Sequence, residues 1–143
     1  MSNYLDPDRA QFDAFKGLNR DAPIEMLNLV RLNDMANYPG DHHLARDRLS
    51  GAQAYGNYGR DSAAIFGRVG GSILWRGAFE TTLIGPSDET WDLMFIARYP
   101  TAHAFLEMVS DPVYQQAVIH RQAAVKTSRL IRCGSLPITA EFA

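Results

Sequence analysis

A single cysteine, Cys133, stands alone in the chain. It has no partner for an internal disulfide, and without a CxxC pair or a Cys/His cluster there is no set of four ligands for a structural zinc. A small apolar strand residue is its expected role. No apolar run approaches the roughly 18 residues of a membrane span, and the stretch MSNYLDPDRAQF carries neither a basic nor an apolar targeting region. A cytoplasmic location is therefore expected. Basic blocks are missing too: 14 Lys+Arg stand against 16 Asp+Glu, for a formal charge of −2. Nucleic acid and membrane are not expected partners. A nucleophile motif, a phosphate loop and a dinucleotide fingerprint are likewise lacking. The glycine-rich GRVGGS (67–72) ends a helix rather than opening one, which makes it a poor phosphate cradle. No internal repeat or low-complexity tract interrupts the chain.

What remains is an ordinary globular composition, 46% hydrophobic and 21% charged over 143 residues, enough for one domain with one core. DPDRAQFDAFKGL (6–18) predicts a short amphipathic helix, with Asp6 as N-cap, Pro7 at its first position, and Phe12 and Phe15 on one side. PIEMLNLVRL (23–32) is apolar on both phases and predicts a strand covered on both faces. Residues 33–51 mix turn formers, charges and two adjacent histidines and read as a long loop. From Ser50 a helix is predicted to about Val69, closed by Gly70-Gly71, although Gly51, Gly56, Gly59 and Gly67 weaken it by up to about 1 kcal/mol each or admit a close neighbour. SILWRGAFETTLIG (72–85) predicts one bent strand or two, with a bulge at Gly77. WDLMFIARY (91–99) is a third strand. A helix bearing Phe105, Met108 and Val109 follows, breaks and restarts at Asp111-Pro112, and runs through VYQQAVIHRQAAVK before a last strand, 127–136.

The core order of strand, helix, strand, strand, helix, strand is the ferredoxin-like split βαβ: an α+β fold with a four-stranded antiparallel sheet and its helices on one face. The strands nevertheless carry apolar residues on both phases. Ile73, Trp75 and Phe79 oppose Leu74 and Ala78, while Leu93, Phe95 and Ala97 oppose Met94 and Ile96. A monomer leaves that second face bare, so a two-fold dimer packing sheet on sheet is expected.

GGSILWRG, TWDLMFIARYPTAHAFLEMVSDPVYQQAVIHRQAA and SRLIR together resemble the DUF1330 family, within the dimeric α+β barrel superfamily. The resemblance runs from about Gln53 to Cys133. Its most specific pieces are the double glycine with Arg76-Gly77, the Tyr99-Pro100 strand exit, the Asp111-Pro112 to Tyr114 break, and Arg121 followed by Ala124. It implies the same homodimer, while the length of the chain predicts a single domain over 1–143. An N-terminal helical extension (about 1–20) and a loop insertion (about 33–50) lie outside it. It brings no defined reaction. The wider superfamily includes cofactor-independent monooxygenases, isomerases and haem-degrading enzymes, chemistries too diverse for the fold to select among.

Candidate residues are therefore weighed on their own chemistry. Arg76 is placed to bind a carboxylate or enolate oxygen bidentately, unless it pairs with Glu80 along its own face. Tyr55 is a candidate to orient a phenolic or ketonic substrate, against the common role of a core aromatic, and Tyr58 lies beside it. His120 is a candidate general base for a proton α to a carbonyl, against a solvated helix-end histidine. Arg121 next to it either binds ligand or ties its helix to strand carbonyls or to Asp92. Trp75, a candidate ligand contact, and Trp91 read more simply as core or interface anchors. His42 and His43 follow Asp41, but adjacent histidines in an extended chain point opposite ways and lack a third ligand. His103 stands at a helix start without a haem-binding pattern. No metal or cofactor is expected. The functional expectation is a metal-free isomerase, lyase or cofactor-independent monooxygenase acting on a small aromatic or enolisable acid. The alternative is a non-catalytic dimeric binding or scaffold protein.

Overall fold

The computed structural model describes residues 3–143. Its elements are α1 (Arg9–Gly17), β1 (Ile24–Leu32), α2 (Gly51–Arg68), β2 (Ser72–Gly77), β3 (Leu93–Tyr99), α3 (Ala102–Ser110), α4 (Pro112–Ala124) and β4 (Val125–Gly134). The sheet runs β2-β3-β1-β4, antiparallel throughout. This is the ferredoxin-like topology expected from the element order.

Capping residues explain most helix starts. Ser50 and Gln53 form a reciprocal capping box at α2, each side chain bonding the other's backbone N–H at 2.9–3.0 Å. Thr101 caps α3, and Asp111 caps α4 ahead of Pro112. At α1 the cap is Asp8, whose carboxylate accepts from the Gln11 N–H at 2.7 Å. Asp6, the expected cap, instead accepts a hydrogen bond from Gln122 at 3.2 Å and ties the N-terminal segment to α4.

One face of the sheet lies under the helices. Ile24 and Met26 of β1 and Ala97 and Tyr99 of β3 are buried there against Ile65, Phe105, Met108 and Tyr114. A second apolar cluster joins Val30 to Tyr38, Ala54, Ala123, Ala124 and Val125. Phe95 packs against both. The other face carries Leu27 and Leu29 beside Met94, Ile96 and Ile131 by cross-strand register, half covered or open.

Strand β2 departs from the sequence expectation. It stops at Gly77, and 78–92 form no regular element. The irregularity lies between Ile73 and Trp75, not at Gly77: Ile73 pairs with Ala97, Trp75 with Ile96 and Arg76 with Phe95. Leu74 is thus the extra residue, and it shifts the alternation. Ile73 and Arg76 share the helix-side phase, whereas Trp75 and Gly77 share the open face. The Trp75 indole rests over Gly77, where an added Cβ would lie 2.5 Å from the ring.

Between α4 and β4 there is no turn, so the strand begins two residues earlier than 127. The last carbonyls of the helix lose their in-helix partners. Asn33 N–H donates to the Ala124 carbonyl and Asn37 N–H to that of Ala123, each at 2.8 Å, with the Asn33 side-chain amide adding a bond to Ala123. Gly51 sits against this junction. A Cβ on it would meet the Asn33 carbonyl oxygen at 2.0 Å and that of Ala124 at 3.1 Å. Gly51→Ala should therefore destabilise the fold by about 2–3 kcal/mol in urea denaturation. Gly59→Ala, where an added Cβ meets nothing within 4 Å, should stabilise it by about 0.5–1 kcal/mol.

Candidate functional site

The loop that bonds to the end of α4 also delivers its side chains to that helix. Tyr38, 8% exposed, brings its hydroxyl to 2.7 Å from Nδ1 of His120. From the neighbouring helix α2, Asp61 Oδ2 lies 3.2 Å from Nε2 of the same imidazole. Asp61 stands within ion-pairing distance of Nε2, and a carboxylate only accepts, which favours a proton on Nε2 and leaves the Nδ1 lone pair to accept from the Tyr38 hydroxyl. Asp61, His120 and Tyr38 thus stand in line as a proton path, by ion-pair distance from an exposed carboxylate (54%) to an imidazole with 11% of its side chain exposed, and by a hydrogen bond from there to a buried phenol.

His42 and His43 lie over this path. The His42 ring stacks on Tyr38 at 4.7 Å and meets the His120 ring edge-on at 5.8 Å, and His43 stacks on His42 at 4.4 Å. The two rings lie side by side, not on opposite sides as an extended chain requires. The backbone turns here, with His42 N–H donating to the Pro39 carbonyl at 2.9 Å. The Leu44 N–H donates to Nδ1 of His42 at 3.0 Å, so neutral His42 carries its proton on Nε2. Loss of solvation, with His43 and His120 close by, holds the His42 pKa below its ordinary 6.5, and Asp41 only partly opposes this. Among the described residues no group of three or more His, Cys, Asp or Glu is placed to hold a metal.

The remaining sequence candidates are dispersed. Arg76 and Trp75 are exposed on β2, and neither an ion pair with Glu80 nor a cavity wall occupies Arg76. Tyr55 meets Tyr58 edge-on at 5.3 Å, and the Tyr58 hydroxyl bonds that of Tyr114 at 2.8 Å. Burial first, and neighbouring phenols second, push Tyr55, Tyr99 and Tyr114 well above the usual phenol range, so they stay protonated. Arg121 donates to the Leu5 carbonyl and to the Ser128 hydroxyl, which itself donates to the Tyr4 carbonyl. It fastens the N-terminal segment to α4 and β4. Asp92 accepts from the Leu32 N–H instead. His103 is exposed and pairs with Asp21 at 3.2 Å. Cys133 is exposed in the single chain. A polar cleft of about 410 Å³, with Arg31, Asp88, Thr90 and Lys126 on its walls, and an apolar groove of about 230 Å³ under α1 lie elsewhere. No residue of the proton path, nor Tyr55, Tyr58, Trp75, Arg76 or Arg121, lines either.

The family model Domain of unknown function (DUF1330) matches residues 44–134. The chain belongs to this family. A protein of unknown function from Rhodopseudomonas palustris has a similar crystal structure. It is 51% identical, with a TM-score of 0.88, and the alignment covers 96% of this chain and 100% of that one. A methylated form of that protein gives 50% identity and a TM-score of 0.89 over 96% and 98%. At 16% identity and a TM-score of 0.50, a cofactor-independent oxygenase from Streptomyces nogalater shares the fold over 84% of this chain and 99% of that one. No curated protein matches. The DUF1330 segment contains Asp61 and His120 but not Tyr38, His42 or His43, which belong to the preceding loop.

The lowered pKa of His42 has a thermodynamic consequence. The unfolded chain binds a proton near pH 6.5 more readily than the folded one, so the stabilisation is present above that value and is lost as pH falls below it. The melting temperature should drop between pH 7.5 and 5.5 by calorimetry, and His42→Gln should flatten the slope.

Proposed function

We propose that this DUF1330 protein catalyses metal-free proton transfer at the α-carbon of a small enolisable or aromatic acid. The reading rests on one observation, the Asp61–His120–Tyr38 path with a neutral His42 stacked over it. The substrate's α-proton passes to the Tyr38 oxygen as the Tyr38 hydroxyl proton passes to Nδ1 of His120. Asp61 stabilises the resulting imidazolium. The electron pair left on carbon moves onto the carbonyl oxygen, which accepts the Nε2–H of His42. Reprotonation at either end of the enolate gives exchange or isomerisation. His120 keeps the base role its sequence position proposed, but Tyr38 rather than Tyr55 supplies the hydroxyl. The oxygenase from Streptomyces nogalater, a likeness of fold alone, is compatible with chemistry without a cofactor.

A homodimer belongs to the same proposal. Trp75 (46% exposed) and Ile131 (47%) lie in the face that also carries Leu27, Leu29, Met94 and Ile96. A second copy covers it sheet to sheet and removes that apolar surface from water. Among the described residues no helix is long and apolar enough to cross a membrane; action in the cytoplasm is part of the same proposal.

One observation favours a non-catalytic alternative: neither cavity described above touches the proton path, whose bonds also serve to lock the loop onto α4. Exchange chemistry separates the two. In deuterium oxide, the protein should accelerate loss of the α-proton signal of an enolisable acid such as phenylpyruvate. Tyr38→Phe and His120→Gln should each slow that exchange by about 10²–10⁴-fold. Lower melting temperatures in these variants, with no exchange by the parent protein across a panel of keto acids, would establish the locking role instead. For the dimer, light scattering should give twice the 15.9 kDa chain mass, and Ile96→Glu should give the single mass.

A further inference from the structure

The apolar groove of about 230 Å³ is built by α1, which lies outside the matched family segment, against the β4 side of the sheet. Phe12, Phe15 and Leu18 form one wall, Phe105 and Leu130 the other, and Arg132 stands among them. The Phe12 and Phe15 rings are near parallel, 10° apart with centroids at 6.3 Å, and Phe105 tilts against Phe15 at 5.0 Å. The groove is not closed: Leu18 is 57% and Leu130 42% exposed, so α1 docks through its phenylalanines and leaves a slot beside them.

Arg132 makes this slot selective. Its guanidinium donates to the carbonyls of Phe15 and Asn19 at the C-terminal end of α1 and lies 4.8 Å over the Phe15 ring. A cation is favoured there by the helix dipole. Two of the guanidinium's five N–H donors account for those carbonyls, and none of the ion pairs among the described residues involves Arg132. The groove therefore offers a half-buried positive charge, without a carboxylate partner, beside a flat aromatic wall. Its volume is below the roughly 300–1,000 Å³ of sites that take drug-sized ligands.

From this combination we infer that the groove is a binding site for a small monocarboxylate with a flat aromatic body. The carboxylate takes the remaining Arg132 donors and the ring lies against Phe12, Phe15 and Leu130. This site shares no residue with the Asp61–His120–Tyr38 path, and it stands or falls separately from the proposed reaction. Phenylacetate is the probe, titrated into the full chain by calorimetry and followed by saturation-transfer NMR. The expected result is a dissociation constant below about 1 mM, with phenylacetamide at least about tenfold weaker because it lacks the charge. Arg132→Gln should lose at least as much. Because that change also loosens the end of α1, Ala14→Trp is the companion variant: Ala14 lines the groove, and the indole should block binding while circular dichroism stays native. His120→Gln should bind like the parent chain. Equal binding of acid and amide, no binding at 10 mM (about tenfold above the limit set here), or undiminished binding by folded Ala14→Trp would each overturn the site.

Discussion

The carbonyls left open at the C-terminal end of α4 organise this molecule. The chain passes from Ala124 in the helix to Val125 in the strand with no turn, so neither a glycine cap nor a following loop satisfies them. They are satisfied from the other end of the domain, by Asn33 and Asn37 just after β1. That pairing fixes where the loop from 33 to 50 can run. It brings Tyr38 to His120, one turn back from the helix end, and lets His42 cover both. It also demands a residue without a side chain at the start of α2, where Gly51 lies against the carbonyls of Asn33 and Ala124. Fold and candidate chemistry thus share one constraint: the atoms that complete α4 also carry the tyrosine that completes the proton path.

The sheet imposes the second constraint. Its helix side is filled by two clusters joined through Phe95, whereas the opposite side retains a patch of leucine, isoleucine, methionine and tryptophan that a soluble chain seldom leaves bare. The extra residue Leu74 sends Trp75 to that patch and Arg76 to the helix-side phase at the edge strand. Removing the bulge would exchange the two, placing a charge among the apolar residues of the open face.

Much of the architecture was legible in the residues because its signals are local. Ser50 before a spaced apolar run, Asp111-Pro112 between two helical stretches, and doubly apolar strands at 23–32 and 91–99 each carry their meaning within a few positions. The misplacements have equally local causes. Two aspartates flank Pro7, and only the hydrogen bond to Gln122 shows that Asp6 is engaged elsewhere. Glycine commonly marks a bulge, which points to Gly77, but here the glycine lies under an indole and the extra residue is Leu74. The candidate site was legible only in part. His120 stood out by its chemistry, whereas Tyr38 and Asp61 come from a loop and a second helix, with Tyr38 and His120 82 positions apart. Such a constellation has no spacing to read, and the adjacent His42 and His43 gave no sign that a turn would stack them.

The tautomer of His120 tests the account most directly. Long-range proton–nitrogen NMR on the ¹⁵N-labelled protein distinguishes a protonated ring nitrogen from one that accepts. The account predicts neutral His120 protonated at Nε2, with Nδ1 showing the shift of a hydrogen-bonded acceptor that moves in Tyr38→Phe. A proton resident on Nδ1 and donated to the Tyr38 oxygen would reverse the path, leave Asp61 facing a lone pair, and contradict the assignment of Tyr38 as the group that His120 activates.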